Sequence, residues 1–490
     1  TNGCPAGEDI RGYNNILRGL RKYEDPLAEA WRLITEVNPF PAIMGRACPA
    51  PCQDACYRDK VDDTVGINAI ERVIGDYAIE KGLAFEKPAV QTGKRVAVVG
   101  SGVAGLSCAY QLARRGHKVV IFEAHEEMGG MMRYGLPSYR LSREVIDAEI
   151  QRILDLGVEV KTRTRVGTDI SFESLRRKYD AVFLGLGAHS GSTLDIQGKD
   201  ARGVLDGVDY LTRINKGETG DDAIRPGEKV IVLVIGGGNT AIDVARVSLR
   251  QGAEVTVVYR RTQKEMPAIA HEVEAAKVEG VKFEYLAAPK EILHKDGKII
   301  GLRCFRMQLG QPDKSGRRQP VPVPDSDFDI PAQRVIYAIG QNPDLRGLDA
   351  VNTGKPWLEV DQHFQVKGME GVFTGGDTLG LGLLTTAIGH GRKAAEAIHA
   401  HVMGLPMPKA ARSEIVDFKR QFSVHFLPKP RNKPPDVHVD NIIDNYDELV
   451  LAITREQANK EAERCMSCGL CFECDNCMIY CPQEAITKDK

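Results

Sequence analysis

Six of the twelve cysteines in this 490-residue chain lie between Cys465 and Cys481, close to its end. The last four have the spacing C-x2-C-x2-C-x3-C with a proline next, and they are Cys471, Cys474, Cys477 and Cys481. Two-residue gaps let three thiolates wrap one iron–sulfur cubane while the fourth reaches outward. The first two of the six add another C-x2-C pair, so Cys465, Cys468 and Cys471 with a later cysteine form an alternative group. The tail therefore predicts one or two [4Fe–4S] clusters.

A structural zinc ion is the other interpretation of this tail, because C-x2-C pairs also suit Zn²⁺. Six cysteines exceed what one zinc ion needs, and the Cys481–Pro482 ending is typical of iron–sulfur sites. We therefore favour iron.

A second group of cysteines lies near the start of the chain. Three recur every four residues and one precedes a proline, and they are Cys48, Cys52, Cys56 and Cys4. Four thiolates are enough for one [4Fe–4S] cluster. Clusters of cysteines in a large chain without a secretion signal indicate metal sites more often than disulfides.

A strand, a glycine turn, a helix and a second strand follow one another from Lys94. Gly100 permits the tight turn, Gly102 lets the backbone approach a pyrophosphate, and Gly105 lets the helix pack on the strand. Glu123 ends the second strand, 18 residues after Gly105, where a carboxylate binds ribose hydroxyls. The unit predicts a dinucleotide site.

Other glycine-rich stretches favour a flavin at this first site. "MGGMMRYGLP" offers a further close backbone approach, and Asp377 in "GVFTGGD" lies at a turn before a long helix whose N-terminus favours negative charge. The residues predicted to bind FAD are Gly100, Gly102, Ala104, Gly105, Glu123, Gly129, Gly130, Arg133, Gly376, Asp377, Thr386 and Ala387.

A second copy of the same plan occurs at "KVIVLVIGGGNTAIDVARVSLRQGAEVTVVYRR". Its second strand ends in two arginines instead of an acid, and the arginine fork suits a ribose 2′-phosphate. This favours NADP(H) over NAD(H). The residues predicted to bind the nicotinamide coenzyme are Gly236, Gly238, Asn239, Thr240, Ala241, Arg260 and Arg261. No acid–base catalytic residue is assigned, because electron transfer between bound cofactors depends on their positioning.

The composition excludes other classes of function. With 65 basic and 67 acidic residues the formal net charge is −2, which gives no support to a nucleic-acid or membrane-surface role. No stretch approaches the ~20 apolar residues of a spanning helix, and no signal peptide opens the chain, so a cytoplasmic protein is expected. Because Thr1 is not methionine, residues before it are expected to be missing.

The pattern of elements predicts an α/β protein with six parts. They are a helical [4Fe–4S] domain over 1–88, the first part of an FAD domain over 89–204, an inserted NAD(P)H domain over 205–334, the second part of the FAD domain over 335–405, an extended connector over 406–460 and a ferredoxin-like segment over 461–490. Two βαβ units predict two doubly wound, mostly parallel sheets.

Several motifs in one order resemble a known family over about residues 1–405. They are "GRACPAPCQDAC", "GSGVAGLSCAYQLARRGHKVVIFEA", "GGMMRYGLPSYRL", "GGGNTAIDVAR", "VVYRRTQKEMPA" and "GVFTGGD". Together they are similar to the small subunit of NADPH-dependent glutamate synthase and its relatives. The resemblance implies two Rossmann-like domains of the disulfide-reductase type behind a helical iron–sulfur domain.

The resemblance also implies details of the metal sites. In relatives, a Glu or Gln in the helix after the cysteine loop replaces a cysteine ligand, and the matching residue in this sequence is Glu71. Relatives usually carry two N-terminal clusters with further cysteines upstream of the Cys-Pro pair, one of which would fall immediately before Thr1. Either those cysteines are lost or the chain begins late.

The cysteine tail is not part of the glutamate synthase small subunit. With this tail, the chain is similar in layout to DsrL, an iron–sulfur flavoprotein linked to dissimilatory sulfite reductase. The resemblance implies an oxidoreductase that passes electrons between NAD(P)H and a protein partner, which is sulfite reductase, another reductase or a ferredoxin, within a complex or homo-oligomer. The alternatives are a glutamate synthase small subunit, an electron-bifurcating ferredoxin:NADP oxidoreductase subunit and a non-enzymatic redox sensor or scaffold.

Overall fold

The computed structural model describes residues 3–20, 22–218, 220, 224, 228–313, 316–409, 415–420, 426–435, 445–468 and 479–483. Within these ranges, no helix combines the length and the apolar character that a bilayer crossing requires.

The secondary structure of the described residues alternates between helices and strands after an all-helical start. The helices are α1 (Ile10–Leu17), α2 (Pro26–Thr35), α3 (Pro41–Ala47), α4 (Pro51–Asp54), α5 (Ile67–Glu80), α6 (Val103–Arg114), α7 (Met131–Tyr134), α8 (Arg143–Leu154), α9 (Phe172–Lys178), α10 (Gly207–Asn215), α11 (Asn239–Arg250), α12 (Ala270–Glu279), α13 (Leu384–Met403) and α14 (Arg455–Ala462). Short 3₁₀ turns cover Tyr57–Lys60, Gln263–Glu265, Gly376–Thr378 and Phe418–Arg420.

The strands are β1 (Arg95–Val99), β2 (Lys118–Phe122), β3 (Glu159–Lys161), β4 (Ala181–Leu184), β5 (Ser190–Gly191), β6 (Val204–Asp206), β7 (Ile231–Ile235), β8 (Glu254–Tyr259), β9 (Lys282–Tyr285), β10 (Ala287–Lys295), β11 (Lys298–Pro312), β12 (Arg318–Pro331), β13 (Arg334–Tyr337), β14 (Gln341–Asn342) and β15 (Val372–Thr374).

Two five-stranded parallel sheets form the centre of the fold. The first has the strand order β15-β4-β1-β2-β3, and the second has the order β6-β13-β7-β8-β9. In each sheet the strand that leads into a glycine turn is central: β1 pairs with β2 and β4, and β7 pairs with β8 and β13. Helices cover such sheets on both faces, which explains the nearly continuous apolar runs "RVAVV" and "IVLVI". The predicted doubly wound α/β class is confirmed.

The second sheet ends later than the sequence predicts. The predicted border between the coenzyme domain and the second part of the FAD domain falls between residues 334 and 335. Strand β13 pairs with β7 from Arg334 opposite Val232 to Tyr337 opposite Ile235, so the whole strand belongs to the second sheet. The predicted border therefore cuts through a strand whose apolar residues are buried between two neighbours.

A three-stranded antiparallel sheet of β10, β11 and β12 was not predicted. Its outer strand β12 contains Pro320, Pro322 and Pro324, and most of its residues are partly or fully exposed. Proline lacks a backbone N–H and is tolerated only on an edge strand, which is the position of β12 in this sheet. Proline-rich exposed sequence is typical of loops, and for this reason the strand was not predicted.

The N-terminal helices pack on the domain of the first sheet. Phe40, Ile43 and Met44 from α3 and its start share one buried core with Leu106 of α6 and Ile398 of α13. The thiol-rich loop that follows α3, which contains Cys48, Cys52 and Cys56, is therefore positioned by the packing of α3 on α6 and α13.

Glu149 of α8 supplies the cap of α3 across this interface. Phe40 at the N-cap makes no side-chain bond, and the carboxylate of Glu149 instead accepts hydrogen bonds from the backbone N–H groups of Ala42 at 2.9 Å and Ile43 at 3.0 Å. The side chain is completely buried, and this burial raises the pKa of Glu149 to about 7. A side chain of the FAD domain thus accepts hydrogen bonds from N–H groups that would otherwise be unpaired at the start of a helix in the N-terminal domain.

The C-terminal part of the chain returns to the N-terminal helices. Helix α14 crosses the predicted border at residue 460 between the connector and the ferredoxin-like segment. Ile453, Ala458 and Ala462 join the buried core formed by α1, α2 and α5. Glu461 accepts a hydrogen bond from the backbone N–H of Gly66 at 2.7 Å, so α14 caps the start of α5.

Replacing Glu149 by Ala should destabilise the protein, because it leaves two buried N–H groups without an acceptor. We expect the free energy of unfolding to fall by about 1–3 kcal/mol for each amide, measured by urea denaturation followed by circular dichroism. The control Gln151→Ala alters an exposed residue of the same helix and should stay within about 0.5 kcal/mol of the wild type. Equal stability of the Glu149→Ala variant and the wild type would contradict the cap.

Candidate functional site

The first glycine turn has the geometry that a dinucleotide needs. Gly100 has φ +91°, and a Cβ there would lie 2.4 Å from the carbonyl oxygen of Gly185. A Cβ on Gly105 would lie 2.0 Å from the carbonyl oxygen of Gly100, so this glycine permits the close packing of α6 on β1. At Gly102 the nearest atom to a Cβ is the Cα of Gly130 at 3.9 Å, which leaves open space before the start of α6. Pyrophosphate would fit there, at a helix N-terminus.

The carboxylate of Glu123 is fixed beside this turn. One oxygen accepts hydrogen bonds from the backbone N–H and the hydroxyl of Ser101, at 2.8 and 2.6 Å, and the other accepts from the N–H of His125 at 2.8 Å. These donors hold the acid at the end of β2, where further lone pairs can accept ribose hydroxyls. Ser101 was not predicted, although it lies within the glycine motif.

A cavity of about 480 Å³ opens in front of the turn, a size typical of cofactor clefts. The predicted residues that line it are Gly100, Gly102, Ala104, Glu123, Gly130, Gly376, Asp377 and Ala387. Further lining residues lie outside the motifs, so sequence patterns gave no signal for them: His125, Thr164, Arg165, His189, Asp206, Asp209, Asp344 and Arg346.

Four of the predicted FAD residues do not line the cavity, and they are Gly105, Gly129, Arg133 and Thr386. Arg133 is buried, and its guanidinium donates to the carbonyl oxygen of Met128 at 2.6 Å and forms ion pairs with Glu127 and Asp147. Its contacts are therefore structural. Gly129 donates its N–H to the carbonyl oxygen of Ser101 at 3.0 Å, which ties the second glycine-rich stretch to the first turn.

The far wall of the cavity combines an acid and a helix start. Burial raises the pKa of Asp377 to about 6, and its carboxylate accepts a hydrogen bond from the N–H of Gly382 at 3.0 Å. Helix α13 follows, and Leu383 at its N-cap provides no side-chain bond to the first amides. Leu383, Leu384 and Ala387 line the cavity, so this helix start faces it with unpaired N–H groups and a positive dipole. The residues present fit FAD.

The second glycine turn has the same form as the first. Gly236 has φ +147°, and a Cβ there would lie 2.2 Å from the carbonyl oxygen of Ala338. Around Gly238 no atom lies within 4 Å of a Cβ, so its backbone faces open space. Asn239 and Thr240 have partners within the protein: the Asn239 side-chain oxygen accepts from the N–H of Ile269 at 2.9 Å, and the Thr240 hydroxyl accepts from Gln341 at 3.0 Å.

The two arginines after β8 lie in different surroundings. Arg261 is buried, donates to the carbonyl oxygen of Arg318 at 2.7 Å and pairs with Asp313 at 3.0 Å. Arg260 is exposed, and within the described part of the chain it has neither an ion pair nor a hydrogen bond. Of the predicted pair, Arg260 is therefore the one whose guanidinium is available to a 2′-phosphate.

Three of the N-terminal cysteines lie close to two buried acids, Glu8 and Glu71. Burial, followed by the charge of Glu71, raises the pKa of both Cys48 and Cys52, and the charge of Cys4 adds to both. Glu71 is only 5% exposed, and its carboxylate accepts a hydrogen bond from Asn38 at 3.0 Å. Burial raises the pKa of Glu71 well above its usual range. The structure thus brings together Cys4, Cys48, Cys52 and Glu71.

An unpaired hydroxyl next to this group indicates what fits there. The hydroxyl of Tyr13 is buried without a hydrogen-bond partner among the described residues, and burial with the nearby charges of Glu8 and Glu71 raises its pKa. A buried hydroxyl without a partner costs free energy, and a cluster sulfide or thiolate would accept its hydrogen bond. Three thiols, the Glu71 carboxylate and this donor fit a [4Fe–4S] cluster.

The fourth predicted thiol of this group, Cys56, has other neighbours. It lies beyond the end of α4, and its charge acts on Cys465 and Cys468 of the tail. Cys481 is partly buried. The predicted ligands Cys471, Cys474 and Cys477 lie outside the described residues. Within the described ranges, no three His, Cys, Asp or Glu side chains converge as the ligands of a single metal ion would.

Two family models match the chain, one over the N-terminal helices and one over the part with the two parallel sheets. Residues 94–391 match the model for pyridine nucleotide-disulphide oxidoreductases. Residues 1–83 match the model for dihydropyrimidine dehydrogenase domain II, which carries a 4Fe-4S cluster.

Three curated proteins with similar sequences are named as the beta subunit or the small chain of an enzyme. The beta subunit of NADP(+)-dependent formate dehydrogenase from Moorella thermoacetica is 36% identical over 95% of this chain and 69% of its own length. The beta subunit of NADPH-Fe(3+) oxidoreductase from Geobacter sulfurreducens is 37% identical over 95% and 74%. The small chain of glutamate synthase [NADPH] from Escherichia coli is 37% identical over 81% and 86%.

Among solved structures, FprA of Mycobacterium tuberculosis in complex with NADPH matches with a TM-score of 0.56 and 18% identity, over 64% of this chain and 85% of that one. At this identity the match shows a shared fold.

Replacing Arg260 by Ala should raise the KM for NADPH by about tenfold to a hundredfold and leave that for NADH nearly unchanged. The reason is that a lost charge-assisted phosphate contact costs about 1.5–3 kcal/mol. Steady-state reduction of a tetrazolium dye measures both constants. The control Lys264→Ala removes a nearby exposed cation and should change neither. Equal increases for both coenzymes in the Arg260→Ala variant would refute the 2′-phosphate contact.

Proposed function

Because this chain belongs to the pyridine nucleotide-disulphide oxidoreductase family, we propose that its glycine turns and cysteines form one electron path from NADPH to a protein partner. The chain is an oxidoreductase whose cofactors are FAD, NADPH and iron–sulfur clusters. The order of these sites along the path, and the partner at its end, are the proposal.

One contact carries the proposed order. The thiol of Cys4 lies 3.8 Å from the hydroxyl of Thr385, in the first turn of α13. A Cβ on Gly389, one turn further along α13, would lie 2.4 Å from the carbonyl oxygen of Pro5. The Cys-Pro segment therefore rests directly on the helix whose start lines the FAD cavity. Electrons that leave the cavity meet the group of Cys4, Cys48, Cys52 and Glu71 first.

The residues of the path have different tasks. Gly102 and Glu123 would hold the pyrophosphate and ribose of FAD, and Arg260 would select NADPH at the second turn. FAD bound in the cavity supplies the exchange between electron pairs and single electrons, and clusters carry single electrons. Because Glu71 is buried and Cys48 and Cys52 are partly buried, they lose less solvation when a cluster binds than exposed ligands would lose.

We expect the partner to be another redox protein and this chain to be one subunit of a complex with it. The relatives named above are called beta subunits or a small chain of larger enzymes. Those linked to formate and to ferric iron align with 95% of this chain, whereas the glutamate synthase chain aligns with 81%. This difference favours an electron-delivery subunit over the glutamate synthase alternative. A sulfite reductase of the DsrL-linked kind stays a prediction, as does electron bifurcation.

The proposed order is tested by rapid anaerobic mixing of the reconstituted protein with NADPH. The flavin absorbance should bleach first and the broader iron–sulfur absorbance second. A protein whose flavin is not reduced by NADPH would contradict the oxidoreductase path and would favour the sensor alternative. Iron–sulfur bleaching that precedes flavin bleaching would contradict the order.

Replacing Cys52 by Ser should separate the two halves of the path. Flavin reduction by NADPH should keep its rate, because Cys52 does not line the cavity. Reduction of a one-electron acceptor such as cytochrome c should fall by about tenfold or more, because the interrupted step becomes rate-limiting. Cys304→Ser, in the distant strand β11, is the matched control and should leave both rates unchanged. If the Cys52→Ser variant keeps full cytochrome reduction, the first cluster is not on the path.

A further inference from the structure

Cys56 and the first cysteines of the tail meet on one side of the N-terminal helices. Cys56 and Cys465 both pack against the buried core of α1, α2 and α5. The charge of Cys56 acts on the thiols of both Cys465 and Cys468, which places the three side chains close together. Thiols that are about 400 residues apart in the chain are thus neighbours.

The start of the tail is held at this place by Arg464, which is 1% exposed. Its guanidinium donates to Asp62 at 2.9 Å, to the carbonyl oxygen of Asp63 at 2.6 Å and to that of Thr64 at 3.0 Å. Asp62 also accepts hydrogen bonds from Arg58, two residues after Cys56. A fully buried cation with these partners fixes the loop after Cys56 against the residue before Cys465.

The loop that starts at Cys465 shares two features with the loop that starts at Cys48. In the tail, the N–H of Ser467 donates to the sulfur of Cys465 at 3.4 Å, and Ser467 has φ +51°. In the N-terminal loop, the N–H of Ala50 donates to the sulfur of Cys48 at 3.4 Å, and Ala50 has φ +54°. A residue other than glycine rarely adopts positive φ. Two loops therefore use the same strained turn to donate an N–H to a cysteine sulfur.

Helix α1 adds polar and positive groups around the tail's thiols. Arg18 donates to the carbonyl oxygen of Cys465 at 2.7 Å, and Asn15 donates to the hydroxyl of Ser467 at 3.1 Å. Positive charge and N–H donors stabilise thiolates, the form in which cysteine binds metal.

We propose that Cys56, Cys465 and Cys468 are ligands of one iron–sulfur cluster that joins the two ends of the chain. This inference rests on the proposed function and adds a second cluster after that of Cys4, Cys48 and Cys52. A zinc ion would bind all its sulfur ligands at about 2.3 Å from one point. A cubane instead binds each thiolate to a different iron.

This grouping differs from the one predicted from sequence. Cys56 is no longer the fourth ligand of the N-terminal cluster, and Cys465 and Cys468 no longer belong to a cluster formed by the tail alone. The cluster would lie between the first cluster and the rest of the tail, where it would pass electrons on towards the partner.

The test compares single serine variants of the reconstituted full chain by native mass spectrometry and by electron paramagnetic resonance of the reduced protein. Cys56→Ser, Cys465→Ser and Cys468→Ser should each lose about four irons and the same resonance signal. The double variant Cys56→Ser/Cys465→Ser should lose no more than either single variant. Cys52→Ser should lose a different signal, and the control Cys304→Ser should lose none.

Cys468 is exposed, so its replacement by serine removes little packing and keeps the test informative if another variant unfolds. The proposal is overturned if Cys56→Ser removes the signal that Cys52→Ser removes. It is also overturned if Cys465→Ser or Cys468→Ser removes a signal that Cys56→Ser keeps, or if zinc replaces iron. Flavin reduction by NADPH should persist in all these variants. Its absence from the wild type would refute the proposed function instead.

Discussion

The contact of the Cys4–Pro5 segment with helix α13 is the constraint on which the rest of the structure depends. The start of α13 faces the FAD cavity, while Thr385 and Gly389 of the same helix contact the Cys4–Pro5 segment. Gly389 is needed because a Cβ there would overlap the carbonyl oxygen of Pro5. A single helix thereby sets the separation between the flavin site and the first cluster site, and the core shared by α3, α6 and α13 keeps that separation fixed.

Buried charges maintain this arrangement at both ends of the chain. Glu149 crosses from the FAD domain to cap α3, and Arg464 crosses from the tail to the loop before α5. Breaking such a buried contact leaves an unpaired charge or amide, which is costly. Each contact therefore selects one position for the thiol-rich segment next to it. The cysteines need such fixed positions because every ligand of a cluster must meet its own iron.

Much of the fold and of the two nucleotide sites could be predicted from sequence, because glycine turns are local. Gly102 and Gly238 face open space as their motifs require. What sequence patterns could not provide depends on distant contacts. Arg261 matches the coenzyme motif, yet Asp313 from the antiparallel sheet already pairs with it. Likewise, the spacing of Cys56 from Cys52 indicated one group of four thiols, whereas the fold places Cys56 beside Cys465.

Iron anomalous diffraction from crystals of the reconstituted protein tests the central claim most directly. The account predicts a group of iron peaks enclosed by Cys4, Cys48, Cys52 and Glu71, against the first turns of α13. It predicts a second group bordered by Cys56, Cys465 and Cys468. A difference map without iron beside Cys4 and Glu71, from crystals that contain FAD and iron elsewhere, would contradict it.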